Sequence, residues 1–118
     1  MKRFAVAALI AASLASVAAQ EVYKVGNGVS VPIVIKEVKP EYTPEAKAQR
    51  IEGTVALDVV INAEGAVSDV RVARSLDSVF GLDQQAVKAA KQWTFKPGMK
   101  DGKPVAVQVV VQLTFVLK

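Results

Sequence analysis

From Val105 to Leu117 every odd-numbered position is apolar: Val105, Val107, Val109, Val111, Leu113, Phe115 and Leu117. The even positions read Ala106, Gln108, Val110, Gln112, Thr114 and Val116. A period of two specifies a strand with one buried face and one mixed face. At 13 residues it is roughly twice the usual length of about 5–6. A long strand at the end of a chain needs a partner, and the identity of that partner bears on function.

The preceding residues supply a second layer. Asp83 opens a helical pattern in which Leu82, Ala86, Ala89, Ala90 and Trp93 share a stripe, with alanines small enough for close approach to a sheet. Lys88 and Lys91 suit the last turns of that helix. Gly53–Asn62 reads as a strand with Val55, Leu57, Val59 and Ile61 on one face, followed by an Asn62-Ala63-Glu64-Gly65 turn. Ala66–Arg74 returns as its hairpin mate, Val70 and Val72 facing inward, with imperfect alternation near Val67 that predicts a bulge. Upstream, Thr43 is a good N-cap with Pro44 at the first helical position, predicting a short helix from Pro44 to about Arg50. Val31–Val38 is β-branched, and Pro32 suits an edge strand there. Helix, strand, strand, helix and long strand make an α+β sandwich with one helical layer on an antiparallel sheet.

The start of the chain has a different character. Lys2 and Arg3 precede an apolar run, Phe4–Leu14, and then Ser16-Val17-Ala18-Ala19. These are the three parts of a secretory signal peptide, with cleavage expected after Ala19. The apolar run is shorter than the roughly 20 residues that span a bilayer. An uncleaved segment would instead tether the domain to the inner membrane. Residues 20–30 form a lead-in with a Gly-Asn-Gly turn signal, and residues 31–118 form the domain. The formal net charge of +4 falls to +2 once Lys2 and Arg3 are removed. Lys88, Lys91, Lys96, Lys100 and Lys103 cluster in sequence but are interrupted by Asp101. They read as solvated surface rather than a nucleic-acid stripe.

Cysteine and histidine are absent, which removes disulfides, the usual nucleophile–base pairs and the usual zinc and copper ligands. Asp58 and Asp69 on the hairpin, with Glu52 and Asp83 elsewhere, read as solvated surface charge rather than a catalytic pair. The glycines stand singly at turns and form no phosphate loop. No enzymatic activity, cofactor, metal or small-molecule substrate is expected. Trp93 and Phe95 read as core residues before the Pro97 corner.

Pro40-x-Tyr42 before a short helix, Arg50-Ile51-Glu52-Gly53 opening a strand, and a Gly65 hairpin turn resemble the C-terminal domain of TonB proteins. The second half is similar too: Leu82-Asp83 with Ala86, Trp93-x-Phe95-x-Pro97, Gly102-Lys103-Pro104-Val105, and Phe115-x-Leu117. The likeness covers about residues 31–118. It implies a three-stranded antiparallel sheet with two helices on one face, working in the periplasm of a Gram-negative envelope. It further implies an energy-transducer role in transport across the outer membrane, with the last strand capturing an extended receptor segment by strand addition. The residues so implicated are Val105, Val107, Val109, Val111 and Leu113, with Glu45, Lys47 and Arg50 near the first helix.

Two departures qualify the likeness. Complete TonB proteins carry an uncleaved membrane helix and a long Pro-rich spacer, and only about a dozen residues here separate the expected cleavage site from the domain. Binding is therefore expected of this chain, and force transmission by it alone is not. Tyr42-Thr43-Pro44 also places an extra residue where many relatives read Tyr-Pro. The expected partner is an outer-membrane receptor segment or another envelope protein. The alternative is a structural envelope protein forming a homodimer through the same strand. A hydrolase using Asp58 or Asp69 is a remote third reading.

Overall fold

The computed structural model describes residues 21–118, so the expected signal segment lies outside the described residues. Among the described residues no helix is long and apolar enough to cross a membrane. The strands are β1 (Val22–Lys24), β2 (Ile33–Lys36), β3 (Gly53–Ile61), β4 (Val67–Arg74), β5 (Thr94–Lys96), β6 (Gly98–Lys100) and β7 (Lys103–Phe115). The helices are α1 (Pro44–Ala48) and α2 (Leu82–Ala90).

The long terminal strand finds its neighbour in β3. All nine residues of β3 pair antiparallel with β7, from Gly53 opposite Phe115 to Ile61 opposite Val107. Paired residues share a face, so Val55, Leu57, Val59 and Ile61 stand beside Leu113, Val111, Val109 and Val107 under the helices. β4 completes an antiparallel centre on the far side of β3, with an irregularity between Val60 and Ile61 opposite the expected bulge near Val67. The sheet is larger than the three-stranded antiparallel one expected. β1 pairs in parallel with β7 and β6 pairs antiparallel with its start, giving five strands of mixed direction. Strands of three residues carry too few positions for an alternation to be read. β2 pairs with β5 alone, as an edge strand.

The 62–66 turn is held by Asn62. Its Oδ1 accepts the N–H groups of Glu64 and Ala66 at 3.0 Å, and its own N–H donates to Ala66 O at 2.9 Å. Gly65 has φ 89°, and Phe95 N–H donates to its carbonyl at 2.8 Å, fastening β5 to the turn.

Helix α1 starts as expected: Thr43 Oγ1 accepts Ala46 N–H at 3.1 Å. The Thr43 hydroxyl donates to Phe80 O, tying the cap to the loop before α2. It ends two residues early because Arg50 enters the left-handed region at φ 58°. Arg50 N–H then bonds Lys47 O and Ile51 N–H bonds Ala46 O, the closing pattern of a Schellman motif.

Helix α2 has no side-chain cap at Gly81. Asp77 does that work from the preceding loop, accepting the N–H groups of Val79, Phe80 and Leu82. Asp83, expected as solvated charge, is buried at 6% exposure. Its carboxylate accepts Ser75 Oγ–H and the N–H groups of Leu76 and Asp77, so it organises the loop rather than facing water. Leu82, Ala86, Ala89, Ala90, Trp93 and Phe95 join the β3 residues, Leu113 and Phe115 in one core. Each large side chain buried there contributes roughly 1.5–3 kcal/mol.

Candidate functional site

Strand β7 has two edges, and among the described residues only part of one is open. Its inner edge is taken by β3 from Val107 to Phe115. On the outer edge β1 covers Ala106–Gln108, and among the described residues no strand pairs with Val109–Phe115 there. The five expected strand residues therefore divide. Val105 is paired with Gly98 of β6, and Val107 is fully buried between Ile61 and Tyr23. Val109, Val111 and Leu113 lie along the open stretch.

Main-chain direction decides which residues can pair outward. Asn62 N–H reaches across the hairpin to Ala66, and Ser68 Oγ–H donates to Val60 O from the β4 side at 3.3 Å. Even-numbered β3 residues thus direct their N–H and C=O at β4, and odd ones at β7, because direction alternates along a strand. In the β7 register odd residues pair with odd, so Val109, Val111 and Leu113 spend their main-chain groups on β3. The outward donors and acceptors belong to Val110, Gln112 and Thr114. Pro104, which has no N–H, falls in this outward set, where proline is tolerated. The odd valines instead supply the apolar flank toward the helices.

A groove of about 460 Å³ runs beside the end of this edge. One wall is Gln112–Val116 with Lys118, the other Glu37, Lys39, Pro40 and Tyr42, with Trp93 at its base. Two aromatic anchors hold the second wall to the domain. Trp93 Nε1–H donates to Val38 O at 2.9 Å, and the Tyr42 hydroxyl donates to Ile51 O at 2.6 Å. The Tyr42 and Phe115 rings meet edge-on with centres 5.4 Å apart. Burial, and then the Glu52 carboxylate, raise the Tyr42 hydroxyl above its ordinary pKa. Glu52 also accepts Leu117 N–H at 2.7 Å, fixing the end of the strand.

Glu45, Lys47 and Arg50 are all exposed on or just after α1, and none lines this groove. Tyr42, Pro40 and Trp93 do; the residues expected near the first helix were Glu45, Lys47 and Arg50 instead, and the core reading of Trp93 left out its groove face. The Pro40-x-Tyr42 and Trp93-x-Phe95-x-Pro97 motifs carried that signal. Trp93 is a core residue as expected, at 7% exposure, and it reaches the groove as well.

Asp58 and Asp69 stand on the open sheet face, where Arg71 Nε lies 3.5 Å from Asp69. Among the described residues no three His, Cys, Asp or Glu side chains are grouped to hold a metal ion.

Residues 38–117 match the family model for the Gram-negative bacterial TonB protein C-terminal. Protein TonB of Vibrio cholerae is 35% identical over 86 residues, covering 73% of this chain and 35% of that protein. Protein tonB2 of Pseudomonas aeruginosa is 40% identical over 78 residues, 66% of this chain and 28% of that one. The chain thus spans about a third of the length of the curated relatives it matches. The solution NMR structure of Pseudomonas aeruginosa TonB CTD superposes with a TM-score of 0.59 at 26% identity, covering 80% of this chain and 93% of that one.

Proposed function

Because this chain belongs to the TonB C-terminal domain family, we propose that it is a periplasmic docking module for TonB-dependent transport across the outer membrane. It binds an extended receptor segment by strand addition to the outer edge of β7, without enzymatic activity. The observation that carries this reading is the open edge from Val109 to Phe115 beside the groove walled by Glu37–Tyr42. A segment laid there meets the outward main-chain groups of Val110, Gln112 and Thr114. On its helix side its apolar side chains meet Val109, Val111, Leu113, Pro40, Tyr42 and Trp93. Main-chain bonds give affinity and the alternating pockets give register. Glu45, Lys47 and Arg50 are secondary contacts for receptor regions outside the groove. Residues 1–19 are the export signal of this reading and residues 31–118 its domain.

Photo-crosslinking in cells tests it. A crosslinker at Val116, 60% exposed on the groove wall, should capture N-terminal segments of outer-membrane receptors. A crosslinker at Val72, expected to face inward but 42% exposed on β4, should not. Capture of this chain's own β7 from Val116 would instead favour the self-associating envelope protein. Equal receptor capture from both positions, or none, would overturn the docking reading.

A further inference from the structure

The open edge stops at the lead-in, and the lead-in is fastened in place. In β1, Val22, Tyr23 and Lys24 pair in parallel with Ala106, Val107 and Gln108. With even β7 residues facing outward, the main chains of Ala106 and Gln108 both bond to that of Tyr23. The chain then reverses at once. Asn27 and Gly28 have φ of 52° and 87°, the left-handed pair of a type I′ turn. Gly26 and Val29 exchange both main-chain hydrogen bonds at 3.1 Å.

Beyond the turn, the chain is anchored independently of β7's open edge. Val29 is 7% exposed. Ser30 N–H donates to Met99 O at 3.0 Å, and Met99 N–H to Ser30 Oγ at 2.9 Å. The Lys100 ammonium sits 5.0 Å from the centre of the Tyr23 ring, close enough for a cation–π contact. The reversal therefore holds Lys24 opposite Gln108 and carries Val25 away from the strand.

We propose that β1 is a built-in stop that fixes the length and register of the partner strand. The inference rests on the docking reading above and sharpens it. β1 closes the edge at Gln108, so the pairing window is the seven residues Val109–Phe115, with outward groups at Val110, Gln112 and Thr114. A partner strand begins or ends against Lys24, and further extended residues on that side find no acceptor. Selection is thus for a short extended peptide of about seven paired residues, not for any long β-strand. The lead-in becomes a working part of the site.

The test uses the full chain, its Tyr23→Pro variant and a Tyr23→Phe control. Proline removes the N–H by which Tyr23 bonds β7, while phenylalanine keeps the main chain. The probes are end-blocked peptides of alternating Thr and Val with five, seven, nine and eleven residues, read by Trp93 fluorescence. With wild type and Tyr23→Phe, affinity should rise to seven residues and then change by less than about twofold. With Tyr23→Pro, nine residues should bind about tenfold tighter than seven, through the bonds regained at Ala106 and Gln108. A plateau at the same length in all three proteins, or a continued rise in wild type, would overturn the stop.

Amide hydrogen exchange without peptide gives a second reading. In wild type Gln108 should exchange at least about tenfold more slowly than Val110 and Gln112, and in Tyr23→Pro it should join them. If Gln108 already exchanges as fast as Val110 in wild type, β1 does not hold the edge and the proposal fails whatever the peptides do. Absence of binding by every peptide to every protein, with Gln108 protected, would sink the docking reading itself and the stop with it.

Discussion

Two neighbouring proline substitutions on β7 should separate stability from binding. Val111 faces Leu57 across the β3 ladder, and the main-chain parity gives this pair both of its hydrogen bonds. Val111→Pro deletes a ladder donor and leaves the Leu57 carbonyl without a partner, in a residue with no exposed surface. A lost bond is worth about 0.5–1.5 kcal/mol and an orphaned buried acceptor about 1–3 kcal/mol, so the loss should be about 3 kcal/mol. Gln112 directs its N–H to the open edge, and its side chain is exposed. Gln112→Pro therefore breaks no ladder bond, and its cost should stay near 1 kcal/mol from backbone adjustment alone. At about 4–8 °C per kcal/mol for a domain of this size, Val111→Pro should lower Tm by more than about 12 °C and Gln112→Pro by less than about 8 °C. Binding should rank the other way. Gln112→Pro, folded, should lose at least about tenfold in affinity for an extended peptide, because the central outward donor is gone. Urea denaturation and peptide titration can both be followed through the single tryptophan, Trp93, which stands at the base of the groove. A Gln112→Pro protein less stable than Val111→Pro would show that even residues feed the β3 ladder and would refute the assigned edge.

Other substitutions test separate parts of the structure. Gly65→Ala would drive a Cβ into the Phe95 carbonyl oxygen at a φ of 89°; with left-handed strain and the lost Phe95–Gly65 bond the cost should exceed about 3 kcal/mol by urea denaturation. Arg50→Gly should stabilise by about 1 kcal/mol, raising Tm, because Arg50 holds φ 58° at a position suited to glycine. Asp77→Ala should cost about 2–4 kcal/mol through three lost N–H bonds. Burial alone would raise the Asp77 carboxyl, but the bonds from Phe80, Val79 and Leu82 together outweigh it and hold it below its ordinary pKa. Its contribution is thus complete above the unfolded value of about 3.9 and is lost as pH falls through the lower folded value. Stability curves from pH 6 to pH 2 should accordingly fall less for Asp77→Asn than for wild type.

The parts of the fold legible in the sequence were those written in local chemistry. Alternation over nine or more residues placed β3 and β7, the Thr43-Pro44 pair placed the start of α1, and the faulty phase near Val67 marked the bulge. Helical spacing carried Leu82 through Trp93 into the core. What escaped depends on neighbours distant in the chain. Asp83 reads as a solvated helix-start carboxylate until the loop from Ser75 to Asp77 closes over it. Asp77, the real cap, lies several residues before the helix. β1 pairs in parallel with a strand more than 80 residues later, and nothing in Val-Tyr-Lys specifies that. Strand β7 was legible as a whole, but its division into covered and open parts was not. Nor was the choice of even residues for outward pairing, because side-chain periodicity reports faces and is silent on edges.

The two outer edges of the central sheet are treated differently, and the difference bears on function. β4 carries Asp69 and Arg71, with side chains 54% and 80% exposed, and ends at exposed Arg74. Charge of this kind on an edge strand discourages pairing with another chain. From Val109 to Phe115 β7 has no charged residue, and Val110 is 61% exposed. An uncharged strand of this length with a free edge is an aggregation hazard unless something limits access. Here access is limited by shape rather than by charge. β1 occupies one end of the outer edge and the Glu37–Tyr42 wall confines the other. A dimer paired edge to edge through all of β7 would have to displace β1 and open the groove. On these grounds the peptide-docking reading requires less rearrangement than self-association through the whole strand.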